Sequence, residues 1–145
     1  MIQRIQSIFY LLAGFSFAGL FKFPFATSVV SIPDYLNDQV YNVLDHIVMI
    51  ALTGIGIIVS LAAIFLFRNR ALQMRMGLLA IVISILIPLV AFLLLYTEKT
   101  AVNDTSSIND GIGLYLPILS LIFAVVANRF VKKDDKLVKS MDRLR

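Results

Sequence analysis

Residues 46–67 read HIVMIALTGIGIIVSLAAIFLF, a run that contains no Asp, Glu, Lys or Arg. A helix rises about 1.5 Å per residue, so about 20 residues cross a hydrocarbon core of roughly 30 Å. The run therefore predicts a helix that spans a membrane.

Three further apolar segments accompany this run, at residues 5–21, 77–96 and 112–131. The segment 77–96 is long enough to span alone, whereas the other two are marginal and need flanking residues or local thinning of the bilayer. The pattern predicts an all-α polytopic membrane protein in which one domain, residues 1–145, forms a bundle of four transmembrane helices. Residues 22–45 form an outer loop with a short extended stretch in FATSVVSI, residues 97–111 a polar loop, and residues 132–145 a basic tail.

The composition supports a membrane protein and excludes several kinds of site. The 145 residues are 59% hydrophobic and only 15% charged, whereas a soluble domain has about 25% charged residues. The chain has no cysteine and one histidine, which excludes disulfides, thiolate metal sites and histidine clusters. We expect no cofactor, and no nucleic acid as a partner.

The charged residues predict an orientation in the membrane. Eleven of the thirteen Lys and Arg residues lie in the N-terminus, in the loop between the second and third spans, or in the tail together with Arg129 at the inner end of the fourth span. Six of the nine acids lie in the two other loops. Basic residues accumulate on the cytoplasmic side of bacterial membrane spans. We therefore expect both termini in the cytoplasm. The predicted cytoplasmic basic surface comprises Arg4, Arg68, Arg70, Arg75, Lys132, Lys133, Lys136 and Lys139.

An alternative interpretation treats the first segment as a signal peptide. Ser16-Phe17-Ala18 is a tolerable small-x-small cleavage site after a short apolar stretch. The apolar run continues through Gly19, Leu20 and Phe21, which is unusual for a released signal. We therefore favour a retained first span.

Small residues recur in the spans at helix-packing intervals and predict close contact between helices. They form three pairs, Gly14 with Ala18, Gly56 with Ser60, and Ser120 with Ala124. Packing within the bundle is the favoured interpretation, and a dimer face is the alternative.

Two prolines lie within the spans. Pro88 removes a backbone hydrogen bond to the carbonyl of Ser84 and is expected to kink the third helix. Pro117 lies early in the fourth helix, where it disturbs less.

The opening residues MIQRIQ run directly into the first span, with a short Arg-rich second loop and a Lys-rich tail to follow. This layout resembles a family of small four-span membrane proteins of unknown function found in Bacteroidetes. The resemblance implies a bacterial inner-membrane location, and it implies no activity and no functional residues.

Three functional hypotheses remain. The first is a non-enzymatic structural or accessory subunit that binds anionic lipid head groups through its basic surface and packs with another membrane protein or a second copy of itself. The second is a small transporter or channel that acts as an oligomer, with a polar cavity lined by Thr53, Ser60, Ser84, Ser120 and Asn128. The third is a lipid enzyme with acids near His46. The spans carry no carboxylate, Lys or Arg in their middle, so we favour the first.

Overall fold

A computed structural model describes residues 2–28, 38–99 and 108–142 of the chain. These residues form four α-helices, α1 Ile2–Gly19, α2 Ile47–Phe65, α3 Arg70–Lys99 and α4 Leu116–Asp142. The segments Ile47–Arg68, Arg70–Leu94 and Ile112–Ser140 are long and apolar enough to cross a membrane, and Ile5–Gly19 is a shorter apolar helix. The prediction of a mostly helical chain is confirmed, and three of its helices are long and apolar enough to cross a membrane.

The four helices pack as a closed ring, in which α1 contacts α2 and α4, and α3 contacts the same two helices. Neighbours in sequence are antiparallel. Gly14 faces Ser60 and Phe17 faces Gly56, so positions that advance along α1 retreat along α2. Helices α1 and α3 therefore run in the same direction on opposite sides of the bundle.

Large apolar side chains cover the outside of the bundle. On α1 and α2 they include Ile8, Leu11, Phe15, Ile55, Ile58 and Phe65. On α3 and α4 they include Leu78, Ile85, Phe92, Ile118 and Ile122. We call this surface the apolar belt. Its outward direction matches a lipid environment, since soluble proteins rarely expose so large a contiguous apolar area.

A small antiparallel sheet covers one end of the bundle, which we call the sheet end. The strands are β1 Ala26–Ser28, β2 Val40–Tyr41 and β3 Ile108–Asp110, in the order β2-β1-β3. Ala26 pairs with Tyr41 on one side and with Asp110 on the other. The all-α prediction omitted this sheet, although β1 lies within the predicted extended stretch FATSVVSI, and the predicted polar loop 97–111 contains β3.

The sheet is part of the hydrophobic core. Phe25 and Tyr41 are buried with Phe17 and Ile87. The ring centroids of Phe25 and Tyr41 lie 6.1 Å apart. The backbone N–H of Gly111 donates to the carbonyl of Phe25 over 2.8 Å. A Cβ atom at Gly111 would lie under 3.0 Å from the backbone of Pro24 and Phe25, so only glycine permits this approach.

The opposite end of the bundle carries most of the basic residues, and we call it the basic end. Here α3 begins at Arg70, seven residues before the predicted span 77–96, because the Oδ1 atom of Asn69 accepts a hydrogen bond from the N–H of Leu72 over 3.2 Å. This contact is a helix N-cap. Helix α4 likewise continues without a break through residues 132–142 of the predicted tail.

Both prolines occupy helices. Pro88 lies inside α3, which is continuous on either side of it. Pro117 is buried at the second position of α4, where its missing N–H has no helical acceptor to lose.

Candidate functional site

Basic side chains form an exposed surface at the basic end of the bundle. Arg68 lies in a 3₁₀ turn after α2, and Arg75 lies on the outside of α3. The remaining exposed members are on residues 132–142 of α4, which we call the α4 extension. They are Lys132, Lys133, Lys136 and Lys139. Arg4 belongs to α1, and its side chain lies outside the described part.

Two ion pairs organise this surface. The Nε atom of Arg70 lies 3.0 Å from Oδ2 of Asp134 and joins α3 to α4. The Nζ atom of Lys139 lies 2.6 Å from Oδ2 of Asp135, one turn earlier on the same helix. The acid precedes the base in this second pair, which is the stabilising order along a helix. The extension of α4 is thus a continuation of the bundle with an outward-facing row of lysines.

Small residues bring α1 and α2 together. A Cβ atom at Gly14 would be 3.6 Å from Cβ of Ser60, and one at Gly56 would be 3.1 Å from the ring of Phe17. Ala18, by contrast, is exposed and lines a shallow apolar groove between the two helices. Gly14 of the predicted pair lies at the helix contact, whereas Ala18 lies on the outer surface.

A pair of serines joins α3 and α4 inside the bundle. The Oγ atom of Ser84 lies 3.1 Å from Oγ of Ser120, and Ser84 also donates to the carbonyl of Ala80 over 2.8 Å. A hydroxyl has one proton, so Ser120 is the donor to Ser84. Ala124 is buried one turn further along α4.

Three buried polar side chains lie near the basic end, and we call them the inner polar cluster: Gln6, Tyr10 and Gln73. Each is at most 1% exposed. The Nε2 atom of Gln73 donates to the carbonyl of Ala63 over 2.9 Å, near the end of α2. In the described part of the chain, Oε1 of both glutamines and the hydroxyl of Tyr10 have no hydrogen-bond partner.

Sequence analysis did not identify Tyr10 or Gln73 as site residues. The available signal was helical spacing. Gln6 and Tyr10 are four residues apart, as are Gln73 and Gly77, so each pair shares one face of its helix.

The polar residues proposed to line a transport cavity are distributed over three helices. Thr53, Ser60, Ser84 and Ser120 are all buried in the bundle, and Asn128 lies beside Gly77. Ser84 and Ser120 form a hydrogen bond with each other. The hydroxyls of Thr53 and Ser60 lack a hydrogen-bond partner among the described residues.

Asp45 and His46 precede α2 at the sheet end, where His46 caps the start of α2 and Asp45 accepts a hydrogen bond in the preceding 3₁₀ turn. The Nδ1 atom of His46 accepts from the N–H of Val48 over 3.2 Å, and Oδ2 of Asp45 accepts from the N–H of Asn42. Burial raises the pKa of Asp45, the hydrogen bond from Asn42 lowers it, and the charge of Asp38 raises it further. Across residues 2–28, 38–99 and 108–142, no three His, Asp or Glu side chains are grouped to hold a metal ion.

Comparison with known proteins identifies a family by sequence. The family model described as a domain of unknown function (DUF4293) matches residues 2–144. No curated protein and no solved structure matches the chain.

Proposed function

The chain belongs to the DUF4293 family of unknown function, and from this premise we propose that it is a structural or accessory subunit of the bacterial inner membrane. In this proposal it crosses the bilayer four times, keeps both termini in the cytoplasm and packs with another membrane protein or a second copy of itself. The observation that supports it is the apolar belt, which lies between two polar ends.

The fourth crossing depends on α1. This helix has 18 residues and extends about 27 Å, slightly less than a hydrocarbon core of roughly 30 Å. It packs along α2 and α4, both of which are long enough to span. A helix held between two spanning helices crosses with them, and slight thinning of the bilayer accommodates its shorter length.

The orientation follows from the charge difference between the two ends. Arg68, Arg75 and the lysines of the α4 extension are exposed at the basic end. Asp38 and Asp110 are exposed at the sheet end. Positive residues next to spans remain in the cytoplasm, so the basic end faces inward and the sheet end outward.

The accessory role is supported by the chemistry of the interior. Within the described residues, no Asp, Glu, Lys or Arg is buried. Ion- and proton-coupled carriers use such groups within their spans. The surfaces left for interaction are the apolar belt and the α4 extension, whose residues 132–142 project about 16 Å along the helix axis. The lysines of this extension suit anionic lipid head groups.

Orientation can be tested with single cysteines because the native chain has none. Lys133→Cys and Asp110→Cys would be labelled in intact spheroplasts with a membrane-impermeant maleimide. We expect label at Asp110→Cys only, and label at Lys133→Cys after the membrane is permeabilised. Label on Lys133→Cys in sealed spheroplasts would contradict the orientation.

The accessory role requires a partner. The tagged protein would be purified at native expression in mild detergent, beside a variant in which Lys132, Lys133, Lys136 and Lys139 are replaced by Gln. We expect one membrane protein, or a second differently tagged copy, to co-purify reproducibly with the wild type. A chain that is recovered alone would refute the accessory role without affecting the orientation.

A small oligomeric transporter or channel is the second candidate. The hydroxyls of Thr53 and Ser60 favour it, since both are buried on α2 without a hydrogen-bond partner in the described residues. Solute flux into proteoliposomes that falls in Thr53→Val would support it. Absence of flux for ions and small polar solutes would reject it.

The proposal includes no enzymatic activity, and a stably folded His46→Ala variant that loses a cellular function would contradict this.

A further inference from the structure

The inner polar cluster has an unusual combination of groups. Its three side chains are at most 1% exposed. The Oε1 atoms of Gln6 and Gln73 and the hydroxyl of Tyr10 have no hydrogen-bond partner among the described residues. Buried polar groups in proteins are nearly always paired with protein or ordered water. Three such atoms therefore need a hydrogen-bond partner that the described side chains do not supply.

The register of the helices places the cluster at one level of the bundle. The hydroxyl of Tyr10 lies directly against Gly77, where a Cβ atom would collide with it. Gln6 lies one turn before Tyr10 on α1, and Gln73 lies one turn before Gly77 on α3. Because α1 and α3 run in the same direction, the two glutamines are level with each other, next to the Tyr10 contact.

The cluster cannot satisfy itself. One N–H of Gln73 Nε2 donates to the carbonyl of Ala63 and orients the amide, which leaves Oε1 as an acceptor without a partner in the described residues. Gln6 likewise has an acceptor oxygen to satisfy. The hydroxyl of Tyr10 does not bond to either amide oxygen, since all three atoms lack a hydrogen-bond partner in the described residues.

We propose that a water molecule is bound between Gln6, Tyr10 and Gln73. Water donates two hydrogen bonds and accepts two, so it donates to the two amide oxygens and accepts the proton of Tyr10. A cation fits less well, since the three oxygen atoms are neutral and a buried charge needs compensation. The water connects α1 to α3, which are diagonal in the ring, and this inference does not depend on the accessory role.

Stability measurements distinguish a bridged cluster from a dry one. The variants are Gln6→Met, Tyr10→Phe and the double variant, unfolded by heat in detergent and followed by circular dichroism. Tyr115→Phe is the matched control, because Tyr115 is 61% exposed. With a bound water, each single variant lowers Tm by a few degrees, and the double variant lowers it by about as much as one single variant. The control leaves Tm unchanged.

Three results would overturn the proposal. In a dry cluster each substitution removes an unpaired group, so Tm stays the same or rises. Independent effects would make the losses of the two single variants add in the double variant. Nuclear Overhauser measurements supply the direct test: a contact between water and the side-chain amide of Gln73 is expected in the wild type and lost in the double variant. Its absence from the wild type would reject the bound water.

Discussion

The Nε atom of Arg70 donates a 3.0 Å hydrogen bond to Oδ2 of Asp134, which lies 64 residues further along the chain. The contact joins the first turn of α3 to the part of α4 that follows the predicted span 112–131. The two side chains are 27% and 16% exposed, so solvent weakens but does not abolish their attraction. The extension of α4 thus has a defined position relative to α3.

Loss of this ion pair is expected to destabilise the protein modestly. Arg70→Gln should lower the free energy of unfolding by about 0.2–1 kcal/mol, the range measured for ion pairs in contact with solvent. Thermal unfolding in detergent at low and high salt would measure it, with Arg75→Gln as the exposed control. A cycle with Asp134→Asn isolates the pair, and zero coupling in that cycle would contradict the prediction.

Gly77→Ala is expected to destabilise the bundle by about 1–2 kcal/mol. The added Cβ atom would collide with the hydroxyl of Tyr10 and would lie 3.2 Å from Cγ of Asn128. Overpacking of this kind exceeds the gain in helix propensity from Gly to Ala. The measurement is the midpoint of thermal or denaturant unfolding.

Gly54 supplies the matched control for that substitution. A Cβ atom at Gly54 would meet nothing within 4 Å, so Gly54→Ala should be neutral or slightly stabilising. In a Tyr10→Phe background the cost of Gly77→Ala should shrink because the colliding hydroxyl is gone. An undiminished cost in that background would show that Asn128, and not Tyr10, sets the limit at Gly77.

Stability should depend on the ionisation of Asp45. Its pKa is raised above the ordinary value of 3.8, chiefly by burial. The folded protein therefore holds this proton to a higher pH than the unfolded chain. The stabilising contribution is complete below 3.8 and is lost as the pH rises through the folded pKa.

The corresponding experiment compares the wild type with Asp45→Asn between pH 3 and pH 7. The asparagine oxygen can still accept from Asn42, so the variant should gain Tm relative to the wild type as the pH rises. Asp110→Asn, at an exposed acid of the same end, controls for the general loss of negative charge. A Tm difference independent of pH would show that Asp45 does not contribute in this way.

The serine pair predicts an order of effects. Ser84→Ala leaves the donor Ser120 without its acceptor, whereas Ser120→Ala removes only a donor and leaves Ser84 bonded to Ala80. We expect Ser84→Ala to cost more, with the Ser120→Ala loss near 0.6 kcal/mol, typical of hydrogen bonds between membrane helices. Equal Tm values for the two variants would contradict the assignment of Ser120 as donor.

The helices could be predicted from sequence because each carries its signal locally. The apolar run 46–67 contains α2, and the other three runs contribute to α1, α3 and α4. The start of α3 at Arg70 was also readable, since Asn69 is a favoured N-cap residue. Polar residues follow Asn69, so the apolar run that indicates a span begins only at Gly77.

The sheet and the inner polar cluster could not be predicted in the same way. The strands have two or three residues, and β1 pairs with β3 at a distance of 80 to 84 positions in sequence, so no periodic pattern is visible. Gln73 and Tyr10 become a site only where α3 and α1 meet across the bundle. Their partners are determined by helix register, which a single sequence does not encode locally.

The pairing of Ala26 with Asp110 can form only late in biosynthesis. Residue 26 leaves the ribosome long before residue 110, and two further helices, α2 and α3, lie between them in the chain. Strand β1 therefore cannot pair with β3 until most of the polypeptide has been made. Contacts of such large sequence separation form late. Closure of the sheet is then among the last folding events, and it follows the synthesis of the first three helices.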